Sequence, residues 1–354
     1  MDRRWWVLVL SGLAVIGAGP LRVQAEPVRM PMVAQRPSAP ARPLPGEIAI
    51  AALRPGTTFY SVAAGIAKVV SERTPMRATV LPVAGTADVL TAVNRGEAEF
   101  GICSSQTCWQ TLKGLEGFPK IQTIRIAQVG IPLRVGWLAR KDSGLRTFAD
   151  VRGKQVVRHR VSSFAVYDRA FLANANLTWN DVRPVDVTDV SAGIGAFREG
   201  RADVGEHSLG SAHVAEAHAM IPGGIRWLSA DPSPEAVERA RRATFPGFYA
   251  QLVKAGRFAG VGEDTQFLVV DVYLATNKNV REDVIRAVVE TLWANHSELA
   301  PMHPSLREWV PDRFVTPTVT VPMHPAAVAV YREKGLWRAE MDAVQERLLR
   351  EGGE

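Results

Sequence analysis

The stretch Arg95-Gly96-Glu97-Ala98-Glu99-Phe100-Gly101 has a counterpart at Glu199-Gly200-Arg201-Ala202-Asp203-Val204-Gly205. Each reads as a helix end, a glycine, then alanine, an acid, an apolar residue and a second glycine. A glycine after a helical run suits the left-handed C′ position, and the apolar residue beyond it belongs to a strand. A match this short can arise by coincidence. Taken as an echo, it sets one helix-to-strand junction twice in the chain, as two similarly built α/β lobes require.

The flanking sequence alternates in the same sense. Upstream, Glu47 to Ala52 reads as a strand. Gly56-Thr57-Thr58 then opens a helix whose apolar positions Phe59, Val62, Ala63, Ile66, Ala67 and Val70 share one face. Ala78 to Leu81 is the next strand, and Gly85-Thr86 starts a second helix that ends at Gly96. Ala98 to Cys103 is a strand, with a helix from about Ser105. Two separate strands are expected over 121–129 and 133–140. The pattern restarts after Ser143-Gly144: strand Gln155–Arg158, a helix capped by Ser162 or Ser163, strand Val182–Val187, helix 189–199, strand Ala202–Gly205 and a helix near 211–220. Such alternation argues for α/β lobes with mainly parallel sheets.

Length and composition agree. The 354 residues exceed the size at which one core stops growing, so two domains or lobes are the default. With 47% hydrophobic and 22% charged residues, the chain is neither a polytopic membrane protein nor largely disordered. The net charge of +6 is spread out, without a basic stripe interleaved with aromatics, so no nucleic-acid surface is indicated. Two cysteines are too few for a disulfide scaffold or a four-cysteine zinc module.

Residues 1–25 read as a secretory signal peptide: Arg3-Arg4, an apolar run from Trp5 to Ala18, then Val23-Gln24-Ala25 before Glu26. An uncleaved membrane anchor is the alternative. Pro27, Pro31, Pro37, Pro40, Pro43 and Pro45 make residues 26–46 an extended tether, because proline lacks the N–H that a helix or central strand needs. The expectation is a soluble, exported, periplasmic protein.

The ordered motifs resemble the extracytoplasmic solute-binding proteins of the TAXI family of TRAP transporters. The similarity runs from about Ile48 to Trp337. It is carried by Gly56-Thr57-Thr58-Phe59-Tyr60, by Gly85-Thr86-Ala87-Asp88-Val89-Leu90 with Gly96-Glu97-Ala98-Glu99-Phe100-Gly101, and by Arg140-Lys141-Asp142-Ser143-Gly144-Leu145 with Phe148-Ala149-Asp150-Val151-Arg152-Gly153-Lys154. Val321-Pro322-Met323-His324-Pro325 and Tyr331-Arg332-Glu333-Lys334-Gly335 complete it. The resemblance implies a type II periplasmic-binding-protein fold: two α/β lobes, 47–140 plus 268–354 and 141–267, with a ligand cleft between them. The chain would cross near Ala139-Arg140-Lys141 and return near Phe267-Leu268-Val269. It further implies a small organic acid or amino acid as solute and TRAP membrane subunits as partners. The chain departs from the family in the loops Leu53 to Thr58 and Arg158 to Phe164, so the family's ligand does not transfer.

Ligands of open α/β sheets bind beyond the carboxyl ends of the strands, where helix N-termini offer unpaired N–H groups. Thr57, Thr58, Gly85, Thr86, Ser104, Ser105, Ser162 and Ser163 all fall at such turns and suit a carboxylate; each also reads as an ordinary helix cap. Thr57, Thr86 and Ser105 match ligand-facing loops of the family. Arg54, Arg158 and Arg160 can clamp carboxylates with paired hydrogen bonds, which points to a solute with more than one anionic group; a solvated rim is the alternative. Tyr60 and Trp109 are candidate apolar walls, or core.

Catalysis, cofactors and resident metals are not expected. Gly205-Glu206-His207-Ser208-Leu209-Gly210 lacks the glycine two residues before the serine that a nucleophile elbow needs. His207, His213, Glu216 and His218 do not follow a zinc spacing, and no P-loop or dinucleotide fingerprint occurs. Cys103 and Cys108 lie too far apart for a bridge on one continuous helix, so two buried thiols are favoured, although a turn between them would allow a disulfide. A ligand-sensing partner of a membrane receptor is the other functional class for this fold.

Overall fold

The computed structural model describes residues 42–160 and 164–352. Residues 44–352 among these belong to one compact unit. The signal-peptide and most of the tether assignments lie outside the described residues.

The first half of the unit follows the expected alternation. Strand β1 (Glu47–Leu53) leads into helix α1 (Thr58–Arg73), β2 (Arg77–Val83) into α2 (Thr86–Arg95), and β3 (Phe100–Ser104) into α3 (Ser105–Lys113). β1 lies between β2 and β3, parallel to both. α1 packs Phe59, Val62, Ile66, Val69 and Val70 onto this sheet, all buried. Truncating one such side chain, Ile66→Ala, is expected to cost about 2–5 kcal/mol.

The second half repeats the plan with β5 (Gln155–His159), α4 (Phe164–Asn174), β6 (Arg183–Val187), α5 (Val190–Arg198), β7 (Val204–Ser208) and α6 (Ala212–Met220). β5 lies between β6 and β7 and runs parallel to both. Both glycines of the echo, Gly96 and Gly200, have the left-handed φ expected of them, +71° and +76°.

Two long strands join the halves. β4 spans Ile124–Arg140 and β10 spans Thr265–Asn277. They pair antiparallel at the centre of a ten-stranded sheet of order β2-β1-β3-β10-β4-β7-β5-β6. β8 (Ile225–Trp227) and β9 (Tyr249–Val253) attach to β4 and β10 on the second-half side. The expected pair of strands over 121–129 and 133–140 is therefore one strand of 17 residues. The apparent break at Gly130-Ile131-Pro132 is an irregularity within it. Pairing steps from Val129↔Tyr273 to Pro132↔Asp271, and a proline tolerates such a slip because no ladder N–H is required of it there.

The remaining helices are α7 (Pro234–Ala243), α8 (Glu282–Asn295), α9 (Pro325–Glu333) and α10 (Glu340–Glu351). After β10 the chain returns to the first half, where α8 packs on α1 and α9. The segment Pro304–Glu308 meets the second half: Glu308 accepts from Arg134 at 3.0 and 2.7 Å and from Arg257 at 2.9 Å. Among the described residues no helix is long and apolar enough to cross a membrane.

Candidate functional site

The strand-to-helix turns of the two halves face each other across a narrow gap whose open space, about 20 Å³, holds little more than one water molecule. That is far below the range for open small-molecule sites, about 300–1,000 Å³, as two halves packed shut on each other leave. From the first half come Thr57 and Thr58 at the start of α1, Thr86 at the start of α2 and Ser104 at the start of α3. From the second half come Phe164 and Tyr167 of α4, Val190 of α5, and His207 and Ser208 of β7. Leu133 and Val135 of β4 form part of the wall, with Leu53 and Phe59.

Local chemistry sets each turn. Thr57 caps α1 by accepting from Tyr60 N at 3.2 Å, and its hydroxyl donates to Arg54 O at 2.9 Å. Gly85 caps α2, and its N–H donates to Asp88 at 2.9 Å. Ser104 caps α3 by accepting from Thr107 N at 3.2 Å. Thr58 and Ser208 touch across the gap, hydroxyl to hydroxyl, at 3.2 Å.

Two buried groups on the second-half wall have no hydrogen-bond partner among the described residues: the Tyr167 hydroxyl and His207 Nε2. Both residues are 1% exposed. The His207 tautomer follows from its other nitrogen. Nδ1 accepts from Ser208 N–H at 2.9 Å and lies 3.0 Å from the Ser211 hydroxyl, so Nε2 carries the proton. Burial first, then the nearby His213, lowers the His207 pKa to about 3, so the ring is a neutral donor. Burial pushes the Tyr167 phenol up against the opposing pull of the Ser104 hydroxyl, which lies near but outside hydrogen-bond geometry, so it too stays neutral.

On the far side of this wall lies a buried trio. His159 Nδ1 is 3.3 Å from Asp168 Oδ2 and 3.2 Å from Glu206 Oε2. These three side chains are close enough to share a metal ion. A proton meets the same electrostatic need. Burial and the neighbouring Asp168 push the Glu206 carboxyl well up. The Asp168 carboxyl is lowered despite its burial, because hydrogen bonds from Glu206 and from His159 favour its charge.

The candidates divide. Thr57, Thr58, Thr86 and Ser104 come together at the gap. Gly85 and Tyr60 stand beside it without lining it, and Ser105 turns into a separate groove, where its carbonyl accepts from the Thr320 hydroxyl at 3.1 Å. Arg54 is exposed and does not line the gap. Arg158 and Arg160 are both held by Asp186, Arg158 through two bonds at 2.6 and 3.0 Å and Arg160 at 2.7 Å. Arg158 also stacks over Trp179. They line a recess outside the gap. Ser162 and Ser163 lie outside the described residues. Trp109 packs against Phe245 and not in the gap.

Sequence reasoning set aside His207 as a capping or solvated histidine and did not single out Tyr167. Nothing in the sequence says that one nitrogen of His207 is satisfied and the other is not. Glu216 pairs with Arg198 at 3.2 Å and His218 accepts from Ile225 N at 3.2 Å, so these two point to separate partners. Cys103 and Cys108 are joined in a disulfide, which corrects the expectation of two separate thiols. Cys103 belongs to β3 and Cys108 to α3, and the turn brings their Cα atoms to 6.8 Å, within bridging distance.

A larger groove, lined by Arg241, Arg313, Arg338 and Arg347, lies elsewhere. Much of its charge is internally matched: Arg313 binds Asp271 at 2.7 Å and Arg338 binds Glu340 at 2.9 Å. The gap between the halves differs from it in holding buried groups without a partner, Tyr167 hydroxyl and His207 Nε2.

Fold and gap together define an α/β protein of two halves packed against each other around a narrow, largely apolar gap. Residues 50–335 match the NMT1-like family, and the chain belongs to it. Solved structures similar to it include the periplasmic aliphatic sulphonate binding protein SsuA from Escherichia coli, at 14% identity and TM-score 0.43, covering 87% of this chain and 86% of that one. The VFT2 domain of Bordetella pertussis BvgS gives 14% identity and TM-score 0.46 over 75% and 93% of the two chains. A periplasmic binding protein of a Brucella ovis ABC transporter, solved with glutathione bound, gives 12% and 0.46 over 70% and 67%.

Proposed function

We propose that this is an exported solute-binding protein that closes on a small carboxylate and delivers it to a TRAP-type membrane transporter. The observation that carries the reading is the pair of buried, unpartnered groups, Tyr167 hydroxyl and His207 Nε2, on the wall of a closed gap. Leaving such a group unsatisfied costs about 1–3 kcal/mol each, a cost that a hydrogen-bonding guest in the gap would remove. The N-termini of α1, α2 and α3 meet the same gap and favour negative charge. Membership of the NMT1-like family supports the reading, and the ordered motifs shared with TAXI proteins support TRAP subunits as partners.

The proposed hinge is the irregular stretch of β4 and β10 around Gly130–Pro132 and Asp271–Tyr273. β4 pairs with β7 over residues 135–139, and β10 pairs with β9 over 265–269, so both strands already belong to the second half there. The lobes would then be separated at these positions, several residues inside the boundaries near 140 and 268. Residues 1–25 would be removed on export, leaving Glu26 as the first residue of the periplasmic form, which N-terminal sequencing checks.

A thermal-shift screen of the mature protein against organic acids tests capture: a binding acid raises the melting temperature in proportion to ln(1 + [L]/Kd). Absence of any stabilising acid would sink the reading. Uptake of that acid into vesicles holding the membrane subunits encoded beside the gene tests delivery. Neighbouring genes for a sensor kinase, without transporter subunits, would replace delivery with sensing.

A further inference from the structure

The gap constrains the chemistry of its guest more narrowly than the word carboxylate does. Resting on the capture reading above, we infer that the solute is a monocarboxylate with an apolar body, and that dicarboxylates and α-amino acids are rejected.

Three observations converge. The first is charge. Among the described residues lining the gap, none carries a full charge at neutral pH: the polar members are hydroxyls and the neutral imidazole of His207. Arg158 and Arg160 are both bound to Asp186, and Arg169 to Glu116, all outside the gap. Asp168 and Glu206 are buried and absent from the lining. A second carboxylate would therefore lack a cation, and an ammonium group would lack an anion. Burying either unpaired costs several kcal/mol.

The second is the placement of donors. His207 Nε2–H and the Tyr167 hydroxyl, both unpartnered, stand on one wall. Opposite are Thr86 and Ser104 at the N-termini of α2 and α3, helices of 10 and 9 residues. Partial charges of this kind stabilise one anionic group without a formal counter-ion. Neutral donors satisfy an acceptor-only group such as a carboxylate.

The third is the remainder of the wall. Leu53, Phe59, Leu133, Val135, Phe164 and Val190 offer only carbon. Such a surface gains by covering an apolar body and loses by desolvating polar substituents.

The experiment is titration calorimetry of the mature chain at neutral pH with three matched series: branched-chain and aryl monocarboxylates, dicarboxylates of equal length, and the corresponding α-amino acids. The expected result is at least tenfold tighter binding of a monocarboxylate than of its dicarboxylate or amino partner. His207→Phe should lower affinity by tenfold or more, and it should also lower the ligand-free melting temperature, because Ser208 N–H and the Ser211 hydroxyl lose the Nδ1 acceptor. Tyr167→Phe provides the same comparison where His207→Phe fails to fold. Tighter binding of dicarboxylates or amino acids, lost in these variants, overturns the inferred class and leaves capture of a carboxylate standing. Binding unaffected by both variants overturns the assignment to this gap. No binding in any series overturns both the class and the capture reading.

Discussion

Glu206 shows how one side chain can hide two chemistries. It lies on β7 next to His207, yet it faces Asp168 and His159 and is fully buried. Its carboxyl pKa is raised above the ordinary 4.5, first by burial and then by Asp168. A group with a raised folded-state pKa contributes stability below its unfolded value and loses it as pH rises through the folded one. Asp168 has the opposite sign, since its depressed pKa contributes above the ordinary 3.8 and is lost on acidification. Glu206→Gln fixes the neutral form. The variant should match the wild type near the ordinary value of 4.5 and become the more stable of the two as pH rises above it through the neutral range. Melting curves across that range check it; parallel profiles would show that Glu206 is ionised in the fold. His207 belongs to the same scale. Its role rests on which nitrogen Ser208 and Ser211 occupy, and a sequence of residue types carries no such information.

The turns between strand and helix were well marked as elements. Thr57, Gly85 and Ser104 cap α1, α2 and α3 at the places their sequence neighbours indicated. Their orientation was not: Ser104 faces the gap while Ser105, one residue on, faces another groove. Gly56 shows what else a turn can require. It has φ +90°, and a Cβ there would lie 2.4 Å from Nε2 of His213, on the opposite half. Gly56→Ala should therefore hold the halves apart and weaken solute binding by about tenfold, roughly 1.4 kcal/mol. Calorimetry checks this, and His213→Ala in the same chain should recover part of the loss. The Cys103–Cys108 bridge spans the β3–α3 turn. On chain-entropy grounds so short a loop gives about 2 kcal/mol. Unfolded without reductant, the protein should show no reactive thiol; two thiols would disprove the bridge.

At the scale of the molecule, the halves are tied by more than the crossing strands. Arg134 sits on β4 with its side chain 4% exposed, and Glu308 binds it through two hydrogen bonds while also meeting Arg257. Removing one member of such a buried pair strands the other. Glu308→Ala should destabilise the protein by about 3 kcal/mol, within the range for broken buried pairs. Asp186→Ala, which frees the more exposed Arg158 and Arg160, should cost about 1 kcal/mol or less. Urea titration of both variants separates the cases, and equal losses would mean that the Glu308 tie is solvated. A solute that closes the gap should also shrink the radius of gyration in small-angle scattering, while an unchanged radius would argue against a hinge at Gly130–Pro132.

The sequence alone determined the order of strands and helices through residue 220, the two-fold repetition of the plan and the turns that offer hydroxyls. Those features follow from periodicity, glycine conformation and capping, which act over a few neighbouring residues. It did not reveal that 124–140 is one strand, because the slip at Pro132 depends on its partner β10. Nor did it reveal that Arg158 and Arg160 are neutralised by Asp186, or that Tyr167 and His207 are left unsatisfied at a cavity. Charge pairing and burial are set by residues 20 to 150 positions away, brought together only when each half folds and the two halves pack. The tertiary structure therefore decided the chemistry of the site, where local sequence could decide only its address.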